Sequence, residues 1–144
     1  MTAKPKASVN SKGLPVHYSV GAIIYKDGKY LLIDRVNPPF GCAAPAGHVD
    51  EGEGAESALV REIFEESGLK VKNFNLLDEE MLENNICSKG IGIHYWYLYS
   101  CDVEGGVIWN KNETRSIDWY TPDQIKKLSL EPVWEYWFKK HKII

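Results

Sequence analysis

The alternation of apolar and polar positions divides the chain into segments typical of strands and segments typical of helices. Stretches crowded with β-branched and aromatic residues and bounded by glycine, proline or asparagine are typical of strands. Strands are therefore predicted at residues 16–25, 30–35, 42–46, 71–83 (as one strand or as two with a bend), 92–103 and 116–120. The first two are separated by Lys26-Asp27-Gly28-Lys29, which predicts a hairpin.

Residues 54–67 have the pattern of an amphipathic helix. The segment contains no proline and is rich in alanine and glutamate, so a helix of about four turns is predicted. Ala55, Leu59 and Ile63 recur at steps of four residues and predict its buried face. Gly68 follows the last turn, where a residue in the left-handed conformation commonly ends a helix.

The C-terminal part predicts two further helices. Thr121 and Pro122 are typical of the N-cap and first position of a helix. Residues 132–142 predict an amphipathic helix with one aromatic-rich face, formed by Val133, Trp134, Trp137 and Phe138. The order of elements predicts an α/β sandwich, a mixed sheet with helices on both faces, within one domain spanning residues 1–144. Residues 1–14 are polar and basic and are expected to form a flexible tail or a loose edge segment.

Length and charge exclude several classes of partner. The chain has 144 residues, 44% of them apolar, which is enough for the core of one domain. A net charge of −3 predicts no attraction to a nucleic acid polymer or to an anionic membrane surface. No apolar run approaches the length of a membrane span, and the first residues do not resemble a secretory signal.

Cysteine and histidine are both scattered along the chain. The cysteines are Cys42, Cys87 and Cys101. With an odd number and no C-x-x-C pair, they indicate reduced thiols and a cytoplasmic protein. The histidines are His17, His48, His94 and His141. Each is expected to be a surface or packing residue rather than a metal ligand.

The segment between Gly47 and Leu69 carries the strongest chemical signal in the sequence. Its spacing is G-x5-E-x7-R-E-[apolar]-x-E-E-x-G-[apolar]. Glu62, Glu65 and Glu66 are related as i, i+3 and i+4, so their carboxylates are expected to converge on one helix face. Like charges at this spacing repel, and a cluster of anionic oxygens is the ligand set that Mg²⁺ and Mn²⁺ prefer. A solvated acidic face is disfavoured because the glycines, the arginine and the apolar positions are all in register.

Arg61 lies beside the glutamates and is interpreted as the residue that orients them. Around a helix it points about 100° away from Glu62. It can reach Glu65, four residues later, or fold back toward Glu53. A partner that holds the ligands in place, rather than a group that reacts, is the expected role.

This segment resembles the Nudix box, the metal-binding signature of hydrolases that cut nucleoside diphosphates linked to another moiety. The resemblance implies a Nudix-type α/β/α sandwich over about residues 16–128 and Mg²⁺ as the cofactor, with Mn²⁺ as a substitute. It implies that the backbone carbonyl of Ala46 is a metal ligand. The implied metal ligands are Ala46, Glu53, Glu62, Glu65 and Glu66, with Glu53 either a more distant ligand or a brace for Arg61.

Members of this family often use a further glutamate from a loop beyond the box, and Glu113 is placed to supply it. The implied catalytic set is Glu62, Glu65, Glu113 and Arg61. The general base is left open between Glu62 and Glu113.

The resemblance implies a small-molecule nucleotide as substrate. Phe40, Trp96 and Trp109 are candidates for stacking on its base, with Phe40 and Trp96 favoured, because stacking tolerates any base. Residues 38–47 resemble the approach to the box in many hydrolases of ADP-ribose or of a broad range of nucleotides. An ADP-ribose-like or nucleotide-sugar-like substrate is therefore favoured over a (deoxy)nucleoside triphosphate cut to its monophosphate. A non-catalytic nucleotide sensor and an isopentenyl diphosphate isomerase remain further alternatives. A homodimer is compatible with the aromatic C-terminal helix, which could serve an interface as readily as a core.

Overall fold

A mixed β-sheet with three long strands organises the fold within the described residues. The computed structural model describes residues 4–36, 40–83, 90–112 and 114–144. The strands are β1 (Ala7–Val9), β2 (Pro15–Lys26), β3 (Lys29–Arg35), β4 (Cys42–Ala43), β5 (Ala46–His48), β6 (Lys70–Leu82), β7 (His94–Glu104) and β8 (Thr114–Tyr120). The helices are α1 (Ala55–Ser67), α2 (Pro122–Ile125) and α3 (Pro132–Lys140).

Strand β2 lies at the centre of the sheet. It pairs in parallel with β7 and antiparallel with β1, β3 and β5. Strand β6 extends the sheet beyond β7, whereas β4 and β8 both pair with β3. The hairpin predicted between β2 and β3 is confirmed. Asp27 and Gly28 at its tip have φ values of 52° and 80°, the left-handed conformation that a tight hairpin turn requires.

The two faces of the sheet carry separate cores, because side chains alternate along a strand. On one face Leu59 and Ile63 of α1 pack among residues that include Val20 and Ile24 of β2. On the other face Ile23 of β2 packs in a cluster that contains the aromatic side of α3. Buried members of that side are Val133, Trp134, Trp137 and Phe138. The α/β sandwich is therefore confirmed, and the aromatic face of α3 belongs to the core.

Proline explains why the strand predicted at 42–46 is two strands. Pro45 has no N–H to donate to a neighbouring strand, so the ladder is interrupted there. Strand β4 pairs with β3, and β5 instead pairs with β2 and thereby runs toward the start of α1. The predicted strand at 71–83 is the single strand β6, with two register shifts against β7.

The expected N-terminal tail is partly ordered against the sheet. Strand β1 pairs with the beginning of β2. The N–H of Lys6 donates to the carbonyl of Val49 at 2.7 Å, and the N–H of Glu51 donates to the carbonyl of Lys4 at 2.8 Å. These bonds tie Lys4 and Lys6 to the residues just after β5, so residues 4–14 follow the expected edge segment rather than a flexible tail. Within the described residues, no helix is both long enough and apolar enough to cross a membrane.

Candidate functional site

The candidate site lies where β5 passes beside α1. Glu66 is 6% exposed on the inner side of α1. Its Oε1 accepts a hydrogen bond from the backbone N–H of Ala46 at 2.8 Å. The helix ends at Gly68, which has a φ of 75° and whose N–H donates to the carbonyl of Phe64, as the sequence predicts. This end fixes the last turn of α1, which carries Glu65 and Glu66.

The absence of a side chain at Gly47 makes room for Glu62. A Cβ built at Gly47 would overlap the carboxylate carbon and both carboxylate oxygens of Glu62. Glu62 is three residues before Glu65 and four before Glu66, so α1 presents all three carboxylates toward one side. Strand β5 therefore contacts two of the three glutamates directly, Glu66 through Ala46 and Glu62 through Gly47.

Arg61 joins the glutamates into one network. Its Nη1 donates to Glu62 at 2.8 Å and to Glu65 at 3.2 Å. Its Nε and Nη2 donate to the two oxygens of Glu53 at 2.9 and 3.0 Å, a bidentate pair. Its Nη2 also donates to the backbone carbonyl of His48 at 2.9 Å. The two alternatives predicted for Arg61 therefore both occur, and the guanidinium ties α1 to β5.

Asp50 is a member of this network that the sequence reasoning missed. Its Oδ2 lies 3.3 Å from Nη2 of Arg61. Its backbone N–H donates to Glu53 at 3.1 Å, which closes the turn before α1. The sequence feature that could have identified Asp50 is its position three residues before Glu53 in a glycine-rich turn. Since Arg61 and the Asp50 N–H engage Glu53 directly, its observed position is that of a brace for Arg61.

Burial and charge set the electrostatics of the site. Burial raises the pKa of Glu62 to about 7, although Arg61 acts in the opposite direction. The hydrogen bond from Arg61 is the main cause that lowers the pKa of Glu53. Around Arg61, four carboxylates face one guanidinium, and Glu66 adds a fifth nearby. This excess of anionic oxygens, with a glycine that leaves space for Glu62, fits the ligand set of a hard divalent cation.

Comparison with known proteins places this chain in a family. The family model of the NUDIX domain matches residues 15–140. The chain belongs to the NUDIX domain family. An ADP-ribose pyrophosphatase of Methanocaldococcus jannaschii is 36% identical over 115 residues, which cover 78% of this chain. The chain spans 66% of that relative's length, just under two thirds.

Solved Nudix structures share the fold. A MutT NUDIX hydrolase from Burkholderia pseudomallei is 26% identical with a TM-score of 0.68, and the match covers 76% of this chain and 85% of that one. The NUDIX domain of Shewanella oneidensis NrtR, solved in complex with ADP ribose, has a TM-score of 0.72. That match covers 87% of this chain and 85% of the other at 19% identity, and shows likeness of fold alone.

In this Nudix domain the expected substrate contacts lie in different environments. Phe40 is 57% exposed, and the guanidinium of Arg115 lies 6.0 Å from the centre of its ring. Trp96 is 5% exposed and packs edge-on against Trp134 and Trp137. Its ring belongs to the core in this structure, which does not offer it to a base. Glu113 lies outside the described residues.

Proposed function

We propose that this Nudix domain is a metal-dependent hydrolase that cleaves the diphosphate linkage of a nucleoside diphosphate derivative, either ADP-ribose-like or nucleotide-sugar-like. The observation that carries the proposal is the position of Glu62 and Glu66 against β5. Glu66 bonds to the Ala46 N–H, and the carboxylate of Glu62 fills the space beside Gly47. The buried Glu66, the partly buried Glu62 and the strand backbone thus form a preorganised anionic site.

The metal-holding set is Ala46 through its carbonyl, with Glu62, Glu65 and Glu66. Mg²⁺ is the expected cation and Mn²⁺ a substitute, because both prefer oxygen ligands. When bound, such a cation supplies charge neutralisation at the diphosphate and lowers the pKa of an attacking water.

The protein's own residues would position the ligands and accept a proton. Arg61 fixes Glu62 and Glu65 through one nitrogen and Glu53 through two, so the carboxylates keep their separation while the site is empty of substrate. A carboxylate oxygen of Glu62 is one candidate to accept the proton of the attacking water. Glu113 stays the second candidate for this role.

Sequence similarity to the M. jannaschii ADP-ribose pyrophosphatase supports the substrate class. Phe40 supports it as well, because an exposed ring with an arginine beside it can stack on a base. A second candidate function is cleavage of a (deoxy)nucleoside triphosphate to its monophosphate. The similarity to a MutT NUDIX hydrolase at 26% identity favours this alternative.

Turnover of a nucleotide panel by matched variants tests the proposal. The panel is ADP-ribose, a nucleotide sugar, NADH, Ap4A and 8-oxo-dGTP, each with Mg²⁺. Glu66→Gln keeps an oxygen that can accept from Ala46 but removes the charge, so turnover should fall by at least about a hundredfold with the fold retained. Glu56→Gln, the same change at an exposed residue in the first turn of α1, is the control and should keep turnover.

The melting temperature provides a second test, of metal binding. Mg²⁺ should raise the melting temperature of the wild-type protein, because it binds only the folded state, and should raise that of Glu66→Gln less. Near-normal turnover by Glu66→Gln would remove the proposal. Preference for 8-oxo-dGTP over ADP-ribose would instead select the second candidate function.

A further inference from the structure

Three histidines that are distant in the sequence meet beside β5. They are His17 on β2, His48 on β5 and His94 on β7. Their ring centres are 5.2 Å apart for His17 and His48, 5.6 Å for His48 and His94, and 6.1 Å for His17 and His94. Each ring offers one nitrogen, and these three nitrogens all lie within 4.8 Å of one another.

Strand register brings the three rings together. His17 is the register partner of His94 in the parallel pair of β2 and β7. His48 pairs with Ser19, which is two residues beyond His17 and therefore on the same face of β2. All three side chains thus project from adjacent, hydrogen-bonded strands on one face of the sheet. The positions of their Cα atoms are set by the sheet rather than by a loop.

Imidazole nitrogens select a different class of metal from the carboxylates of α1. They suit Zn²⁺, Cu²⁺ and Ni²⁺, whereas Mg²⁺ prefers oxygen. In a tetrahedral zinc site with Zn–N of about 2.0–2.1 Å, the nitrogens are about 3.4 Å apart. The nitrogens lie within 4.8 Å of one another, so binding an ion would require side-chain rotations that bring them closer by up to about 1.4 Å. His17 and His48 are partly exposed, so an ion would have a route in from solvent.

We propose that His17, His48 and His94 form a binding site for one transition-metal ion, of which Zn²⁺ is the representative. The site differs from the carboxylate centre in ligand chemistry, although β5 contributes to both. It is linked to that centre through His48, whose backbone carbonyl accepts from Nη2 of Arg61 at 2.9 Å. An ion held by the three rings would brace β5, the strand that also carries Ala46 and Gly47.

Direct binding of Zn²⁺ to the metal-free chain of residues 1–144 tests this site without any measurement of activity. A titration against a chromophoric chelator is run in excess Mg²⁺, which occupies the carboxylate centre. We expect one equivalent of Zn²⁺ to bind. His17→Gln and His48→Gln should each weaken the affinity by at least about a hundredfold, the upper end of the loss seen when only an outer partner of a metal ligand is removed.

Two control variants distinguish zinc binding at the histidine cluster from binding at His141 or at the carboxylate centre. His141→Gln removes the one histidine outside the cluster, which lies 3.0 Å from Asp78 on β6, and should bind Zn²⁺ as the wild type does. Glu66→Gln should also keep the affinity, which makes this test independent of the proposed hydrolase. X-ray absorption of the zinc-loaded protein should show three imidazole ligands.

Several outcomes would overturn the proposal. No stoichiometric Zn²⁺ binding would do so, and so would affinity lost in Glu66→Gln but kept in His17→Gln. Circular dichroism confirms that each variant is folded. His94 is 2% exposed and is left unchanged for that reason. If His48→Gln does not fold, His17→Gln decides the question alone, because its side chain is partly exposed.

Discussion

The carboxylate of Glu62 occupies the space that a side chain at Gly47 would need. This contact explains, in physical terms, why the first position of the motif is glycine. Glu62 is not simply one member of an acidic helix face, since its position depends on a strand that lies some fifteen residues earlier in the chain. The position of the Glu62 carboxylate can therefore be tested by adding a single methyl group at Gly47.

Gly47→Ala should displace Glu62 and lower turnover while leaving the protein folded. The clash is with the end of a flexible side chain, so the carboxylate can move away at small cost in stability. We expect Mg²⁺-dependent turnover to fall at least about tenfold, because the displaced carboxylate no longer has its productive geometry. Gly106→Ala, where a Cβ would meet nothing within 4 Å, is the control. Equal turnover in the two variants would show that the position of Glu62 does not matter.

Arg61 and Glu53 should be coupled in stability. Arg61 makes a bidentate pair with Glu53, and its side chain is 29% exposed. Lysine keeps the charge but loses the planar fork, so Arg61→Lys should lower the free energy of unfolding by about 1–3 kcal/mol. A double-mutant cycle of Arg61→Lys with Glu53→Gln, measured by urea denaturation, should give a coupling of about 0.5–3 kcal/mol. Strict additivity would contradict the pairing.

Gly21 is a packing position on the opposite face of the sheet. A Cβ there would lie 2.6 and 2.8 Å from atoms of the Trp134 ring and 3.2 Å from Trp96. Both tryptophans are buried and cannot move away freely. Gly21→Ala should therefore lower the free energy of unfolding by about 1–3 kcal/mol through overpacking. Gly106→Ala again serves as the control. An equal change in the free energy of unfolding of the two variants would contradict overpacking at Gly21.

Because of Glu131, the free energy of unfolding should fall as the pH rises from acidic to mildly alkaline values. It is 3% exposed, and burial raises its pKa to about 7, with Arg35 acting in the opposite direction. Because the folded state holds the proton more tightly than the unfolded state, where the pKa is about 4.3, stability is lost as pH rises through this interval. The loss from this group between pH 5 and pH 8 is up to about 3 kcal/mol.

Glu131→Gln removes that titration. Its free energy of unfolding should change less between pH 5 and pH 8 than that of the wild type. Chemical denaturation at pH 5 and pH 8 gives the difference in free energy of unfolding for each protein. Any effect of the amide that does not depend on pH cancels in this difference. An identical pH dependence in both proteins would show that burial of Glu131 does not alter its titration.

Local spacing was sufficient to predict the helix that carries the site. The i, i+3, i+4 relationship placed Glu62, Glu65 and Glu66 on one side, and Gly68 marked the end of the helix correctly. Spacing could not predict the bond between Glu66 and Ala46. That bond depends on where β5 passes, and β5 exists as a separate strand because of Pro45.

Contacts between strands set the limits of prediction elsewhere. Alternation along β7 places Trp96 and Tyr97 on opposite faces, but it does not tell which face α3 covers. Trp96 therefore belongs to the core although it was expected to contact a base. The histidine cluster was missed for the same reason, since it depends on the register of β2 with both β5 and β7.

Within the described residues, strand β2 pairs with four other strands. It carries His17 itself, and it pairs with β5, which carries Ala46, Gly47 and His48. A slip of one residue between β2 and its neighbours would turn His17 to the opposite face and shift β5 relative to α1. The arrangement of the three histidines and that of the proposed carboxylate site would then be lost together. The hydrogen-exchange rate of the β2 backbone amides would therefore report how often both sites are disrupted at the same time.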